Sequence, residues 1–188
     1  MKNLTDFEII ESIKRGNHSD FSILVDRYKN KAFSLLKRML KNDMEAEEIL
    51  QDAFIKTFNG LKSFKKESKF STWFYRIVYN TALTKLSSKK RKIENEMTSV
   101  EDHLELESKI DYNQAEQKNI SEIVNSLIEQ LPEKYSLVIN LFYLNGMSCE
   151  EIADVTTSSV SNVKVLLHRA RNSFKDILVK YNLTEELR

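Results

Sequence analysis

Glycine and proline are scarce, with three Gly and one Pro in 188 residues. Sandwiches and barrels of short strands need many turn formers. Their near-absence excludes a turn-rich β architecture and favours long, rarely broken helices. The single cysteine, Cys149, leaves no internal disulfide, so a reducing compartment, the cytoplasm, is expected. No run approaches the ~18 apolar residues that span a bilayer. The start, Met1 to Asp6, lacks the apolar stretch of a secretory signal. No membrane association is expected. Three histidines (His18, His103, His168) lie far apart, with no Cys/His metal spacing, Gly-rich phosphate loop or nucleophile elbow. The expectation is a protein that is not an enzyme, with no catalytic residue, metal or cofactor.

What is present is the composition of a folded chain: 41% hydrophobic and 30% charged residues. The net charge of +1 conceals a division along the chain. From Glu94 to Glu116 eight acidic residues face one basic residue, Lys109, so an acidic strip separates two basic bodies. Length permits two small domains. These are read as 1–88 and 120–188, joined by a flexible acidic linker over 89–119 with transient helix near Asp102–Lys109. The fold class is all-α.

Apolar residues between Leu4 and Arg15, and again from Phe21 to Leu40, follow helical spacing. Asn42-Asp43 offers a break and an N-cap before Ala46, Ile49, Leu50, Ala53, Phe54 and Phe58 continue the pattern, with Gly60 near its end. A polar loop, Lys62 to Ser68, precedes a fourth helix over Thr72–Leu86. The second body starts near Ile120, with Pro132 suited to the first turn of a helix that stops at Gly146. Ser148 and Glu151 form a capping box. A short helix to about Val155, a turn over Thr156–Ser159 and a longer basic helix over Val160–Lys180 make a helix-turn-helix layout.

Two blocks now resemble the extracytoplasmic-function (ECF) sigma factors, bacterial transcription initiation factors of the sigma-70 family. Asp43-Met44-Glu45-Ala46-Glu47-Glu48-Ile49-Leu50-Gln51-Asp52-Ala53-Phe54, then Lys69-Phe70-Ser71-Thr72-Trp73-Phe74-Tyr75-Arg76-Ile77 with Asn80, resembles the family's region two. Leu131-Pro132-Glu133-Lys134-Tyr135, Glu150-Glu151-Ile152-Ala153, Val163-Lys164 and Leu167-His168-Arg169-Ala170-Arg171 resemble region four. Together the blocks and the strip between them cover nearly the whole chain.

The resemblance implies a polymerase-binding face at Glu48, Ile49, Gln51 and Asp52, docking on the clamp helices of the largest subunit of core RNA polymerase. For an arbitrary helix the same face would be solvated acid. It implies contact with the flap by region four, and a linker that threads toward the active-site channel. It also implies binding and melting of promoter DNA at the minus-ten element by Phe64, Lys65, Lys66, Lys69, Trp73, Arg76, Asn80 and Lys85. Nine basic residues against Glu67 alone in 64–92, interleaved with aromatics, suit phosphate tracking and base stacking. Several of those rings, Trp73 and Phe74 with Ile77 among them, are instead expected in the core.

On the minus-thirty-five side the implied contacts are Ser161, Asn162, Lys164, Val165, His168, Arg169 and Arg171. Here the chain departs from the family. Thr157 stands where the turn glycine is usual, so a remodelled turn is expected, because a β-branched residue tolerates positive φ poorly. Val165 and Leu166 replace a Ser-Arg pair, and a lost Arg removes a base contact worth ~1–3 kcal/mol. Phosphate contacts alone position without specifying sequence. Weak minus-thirty-five reading is therefore expected, with promoter choice leaning on a DNA-bound recruiting protein such as an activator or RNA-guided binder. The bland alternative makes Leu166 extra core. An anti-sigma factor is a further partner common in the family. Two other readings stay open: a helix-turn-helix regulator that does not bind polymerase, and an adaptor that binds polymerase without reading promoters.

Overall fold

The protein was described from a computed structural model covering residues 4–96 and 120–181. Among the described residues all regular structure is helical. The acidic linker and its transient helix lie for the most part outside them.

The first body comprises α1 (Asp6–Lys14), α2 (Phe21–Leu40), α3 (Asp43–Gly60) and α4 (Phe70–Glu96). α1 begins in a capping box: Thr5 Oγ1 accepts from Glu8 N, and the Glu8 carboxylate accepts from Thr5 N at 2.8 Å. α2 ends at Lys41, which is left-handed (φ 52°). The Asn42 side chain then accepts from Glu45 N at 3.0 Å and starts α3, as the sequence indicates. α4 begins two residues earlier than its periodicity suggests. It also continues to Glu96, through residues read as linker. The segment Lys89–Lys92 has no apolar stripe to reveal that helix.

The second body comprises α5 (Ile120–Glu129), α6 (Glu133–Ile139), α7 (Cys149–Thr156) and α8 (Val160–Lys180). Pro132 is the N-cap of α6, one position before the expected first turn. α6 does not run unbroken to Gly146. It passes at Asn140 into a π turn over Asn140–Leu144, and Gly146 (φ 65°) closes the segment. The Ser148/Glu151 capping box forms as expected, with Ser148 N donating to Glu151 Oε2 at 2.8 Å.

The turn between α7 and α8 is not remodelled. Thr157 adopts φ 53°, ψ 45°, and its N–H caps Ala153 O, as glycine would. The expectation failed because closing this tight turn outweighs the local cost of a β-branched residue at positive φ, which is ~1–2 kcal/mol.

α2, α3 and α4 pack on one another, and α8 receives α5, α6 and α7. The two bodies are also in contact, α4 against α7 and α2 against α6. One hydrophobic core runs through both. Its first half is aromatic: Phe54 stacks on Phe74 at 5.0 Å, and Tyr28 meets Phe70 edge-on at 5.4 Å. Each such ring fully withdrawn from water contributes ~1.5–3 kcal/mol. Burial pushes the hydroxyls of Tyr28 and Tyr75 to higher pKa, and each finds an acceptor, Asp6 and Asn145 respectively.

Candidate nucleic-acid interface

α3 turns Ala46, Ile49 and Ala53 into the core and leaves Glu48, Gln51 and Asp52 exposed. Ile49 is buried, so it supports this face from beneath and does not belong to its surface. Two residues not singled out in the sequence complete the surface, Met44 (82% exposed) and Ile55 (59% exposed). Met44, Glu48, Gln51 and Ile55 fall at i, i+4, i+7 and i+11, one stripe of a helix. An acidic centre is thus flanked by apolar ends. The available signal was two apolar residues lying off the Ala46–Ile49–Ala53 stripe.

The acidic face is already met by cations from α4. Lys85 Nζ lies 2.9 Å from Glu48 Oε2, and Lys89 Nζ lies 2.9 Å from Glu45. The Glu48 hydrogen bond raises the Lys85 pKa. Lys85, expected against DNA, therefore sits beside a residue expected against a protein.

The Phe64–Lys69 loop holds Lys66 at φ 62°. Lys66 pairs with Glu11 at 2.9 Å and lies over the Phe7 ring, while Lys65 is exposed. Phe64 is buried, packed 4.9 Å from Trp73 and 6.1 Å from Phe70. It walls the core and offers no free face for a base. Trp73 is half-buried, and Gly60 makes room for it: a Cβ at Gly60 would stand 3.0 Å from the indole. Trp73, Arg76 and Asn80 share one side of α4 at i, i+3 and i+7. Arg76 and Asn80 are exposed, and a shallow groove beside Asn80 is lined by Leu83, Thr84, Ser87 and Arg91.

Lys69 is not free. Its ammonium lies 3.0 Å from Glu151 Oε1, and Thr72 Oγ1 donates to the same oxygen at 3.2 Å. Glu151 thus serves its own capping box and the start of α4 together. Burial pushes its pKa up, but the Ser148 N–H, Lys69 and Thr72 outweigh this and leave it lowered. Nearby, Tyr75 donates to Asn145, which donates in turn to Asn140 Oδ1 at 2.6 Å. Sequence reading had no means of finding the Thr72–Glu151 and Tyr75–Asn145 contacts, since they join residues 70 or more positions apart.

α8 buries Val163, Leu167 and Ala170 and exposes Ser161, Asn162, Lys164, Val165, His168, Arg169 and Arg171, as its periodicity indicates. Val165 is 45% exposed, whereas Leu166 is half-buried against the core. The two halves of the replaced pair therefore differ in role. Arg171 folds back on its own body, with Nε donating to Tyr143 Oη at 2.7 Å and the guanidinium 5.5 Å from the Phe142 ring.

Comparison with known proteins matches residues 24–92 to the family described as Sigma-70 region 2, and residues 121–173 to Sigma-70, region 4. The chain is 34% identical to the ECF RNA polymerase sigma-E factor of Haemophilus influenzae, covering 93% of this chain and 96% of that protein. It is 32% identical to the ECF RNA polymerase sigma factor SigW of Bacillus subtilis, over 88% and 92% of the two chains. Its fold is similar to CnrH in complex with the cytosolic domain of CnrY, with TM-score 0.63, 22% identity and coverage of 93% and 97%. It is also similar to RpoE in complex with the anti-sigma factor NepR from Bartonella quintana, with TM-score 0.66, 18% identity and coverage of 85% and 96%.

Proposed function

Since this chain belongs to the sigma-70 family, among its ECF RNA polymerase sigma factors, and so is a transcription initiation factor, we propose how its surfaces divide that work. The α3 stripe of Met44, Glu48, Gln51 and Ile55, with Asp52 beside it, docks on the clamp helices of core RNA polymerase. Carboxylates there steer the encounter with a basic partner, and the apolar ends supply area that leaves water.

The exposed side of α4 receives promoter DNA at the minus-ten element. Arg76 and Lys65 meet phosphates, and Asn80 with the free edge of Trp73 contacts a base that has left the stack. Binding energy captured by the extruded base opens the duplex, with no bond made or broken. Phe64 and Ile49 hold these faces in shape without touching either partner.

Lys69 reaches DNA only after Glu151 lets it go, so the two bodies separate before a promoter is engaged. The Lys69–Glu151 and Tyr75–Asn145 contacts belong to the chain off the polymerase. An anti-sigma factor that holds the bodies together would use the same geometry. On α8, Ser161, Asn162, Lys164, His168 and Arg169 remain open to a minus-thirty-five duplex, but Val165 supplies no hydrogen bond to a base edge. Promoter choice then draws on a DNA-bound recruiting protein.

The observation that carries the reading is the pairing of two exposed faces on adjacent, mutually packed helices, acidic-apolar on α3 and basic-aromatic on α4. Holoenzyme assembly and run-off transcription with core polymerase test it. Gln51→Ala with Asp52→Ala is expected to lose holoenzyme. Arg76→Ala with Asn80→Ala is expected to keep holoenzyme and lose open complex. Normal promoter opening by the second variant refutes the assignment of α4.

A further inference from the structure

Where α2 of the first body faces α5 and α6 of the second, a cleft of about 450 Å3 is lined by three cations (Lys37, Arg38, Lys41), three carboxylates (Asp43, Glu129, Glu133), Ser136 and Leu131. None of these belongs to the surfaces assigned above. Arg38 is 8% exposed and Ser136 4%. Two guanidinium nitrogens of Arg38 are engaged, Nη1 donating to Ser34 Oγ at 2.6 Å and Nη2 to Asn125 Oδ1 at 2.8 Å. Its Nε and the Ser136 hydroxyl have no partner among the described residues.

Buried donors are normally satisfied, and one left without an acceptor costs ~1–3 kcal/mol. Burial lowers the Arg38 pKa, with Glu129 opposing the shift, yet a guanidinium stays charged throughout the physiological range. Lys37 is committed to Asp43 at 2.9 Å. Lys41, held in left-handed backbone at the end of α2, has no ion pair among the described residues. The cleft is therefore bordered by one charged donor and one hydroxyl without partners, and by one ammonium outside any ion pair, among the described residues.

Glu129, Glu133 and the Lys37-paired Asp43 are the counterweight, for they disfavour a bare polyanion. They suit a ligand whose other end carries N–H or O–H donors, and the volume lies in the ordinary range of small-molecule sites. We infer that this cleft binds a phosphate-bearing small molecule, with the phosphate held by Arg38 Nε, Ser136 Oγ and Lys41 and the remainder directed to Glu129 and Glu133. Arg38 and Ser136 come from different bodies, so the ligand stabilises the packed arrangement of the two over any separated one.

Isothermal titration of the full chain with inorganic phosphate and, separately, with AMP, at constant ionic strength, tests this. Saturable uptake of at least one is expected. Tighter binding of AMP identifies an ester, and tighter binding of phosphate a free ion. Arg38→Gln and Ser136→Ala should each weaken it about ten- to a hundredfold, the loss of one hydrogen bond to a charged group. Glu129→Gln should strengthen uptake of inorganic phosphate. Ser136→Ala removes an unsatisfied hydroxyl and should fold as wild type by circular dichroism, which separates lost binding from lost structure. The inference is overturned by an absence of saturation up to about 10 mM, or by binding that survives both Arg38→Gln and Ser136→Ala. Equal weakening by the remote, exposed Lys62→Gln would mark diffuse charge attraction and overturn it too.

Discussion

Replacing Thr157 by glycine should make this protein more stable, although it removes atoms and adds no contact. Thr157 holds φ 53° in the turn between α7 and α8. A β-branched residue pays ~1–2 kcal/mol for that conformation. Its side chain is exposed, and the local side-chain hydrogen bond runs past it, between Thr156 and Ser158 at 2.8 Å. Little is lost with the side chain itself. Glycine returns part of the gain, ~0.5–1 kcal/mol, because its unfolded chain is freer. The net expectation is a stabilisation of ~0.5–1 kcal/mol. For a chain of this length that raises Tm by a few degrees, roughly 2–4 °C per kcal/mol. Thr157→Asn, which tolerates left-handed backbone, should recover a smaller part. Urea and thermal unfolding followed by circular dichroism measure both. A lower Tm for Thr157→Gly than for wild type would refute the claim that the turn is strained.

Further outcomes follow from other parts of the fold. Gly60→Ala places a Cβ 3.0 Å from Trp73, whose ring is backed by Phe64 and cannot retreat freely. The overpacking should cost ~1–3 kcal/mol, partly offset by better helix propensity, and Trp73, the only tryptophan, reports it by a shifted fluorescence maximum. Tyr75→Phe deprives Asn145 of its donor and should destabilise by ~1–2 kcal/mol; unchanged urea unfolding would contradict the bond. Glu151 has a lowered pKa in the folded chain, so its contribution is complete above its usual value of 4.5 and is lost as pH falls through the folded value. Acid titration should therefore loosen the contact between the bodies, visible as a rising radius of gyration by small-angle scattering. Glu151→Gln should remove that part of the transition.

Much of this was legible in the sequence because the signals were local. Asn42 and Ser148 announced their helix starts through short polar side chains next to apolar periodicity. The inward stripe Val163–Leu167–Ala170 of α8 follows from 3.6-residue spacing alone. The failures are equally physical. Lys89 to Lys92 extend α4 without an apolar face, so no period marks them. The π turn at Asn140–Leu144 leaves the apolar pattern of Leu141, Phe142 and Leu144 intact, and pattern reading sees an unbroken helix. Phe64 looked available because it stands in a polar loop, but Trp73 and Phe70 enclose it from α4. The contacts of Glu151 with Lys69 and Thr72, and of Arg38 with Asn125, depend on how two bodies meet, and no local rule encodes that.

The π turn also gives the chain a tolerance of length in a place where an unbroken helix would have none. A π turn accommodates one residue more than the α-helix it interrupts. Deleting one residue between Asn140 and Leu144 would let α-helical hydrogen bonding resume, the bond from Asn145 N to Asn140 O then closing over one residue fewer. In a regular helix the same deletion rotates everything downstream by roughly 100°. Here the wide turn already holds the spare residue, so Asn145 would stay beside Tyr75 and Gly146 would still fall where the backbone reverses. Single-residue deletions should therefore be commoner among functional descendants of this chain at 140–144 than within α6 at Glu133–Ile139.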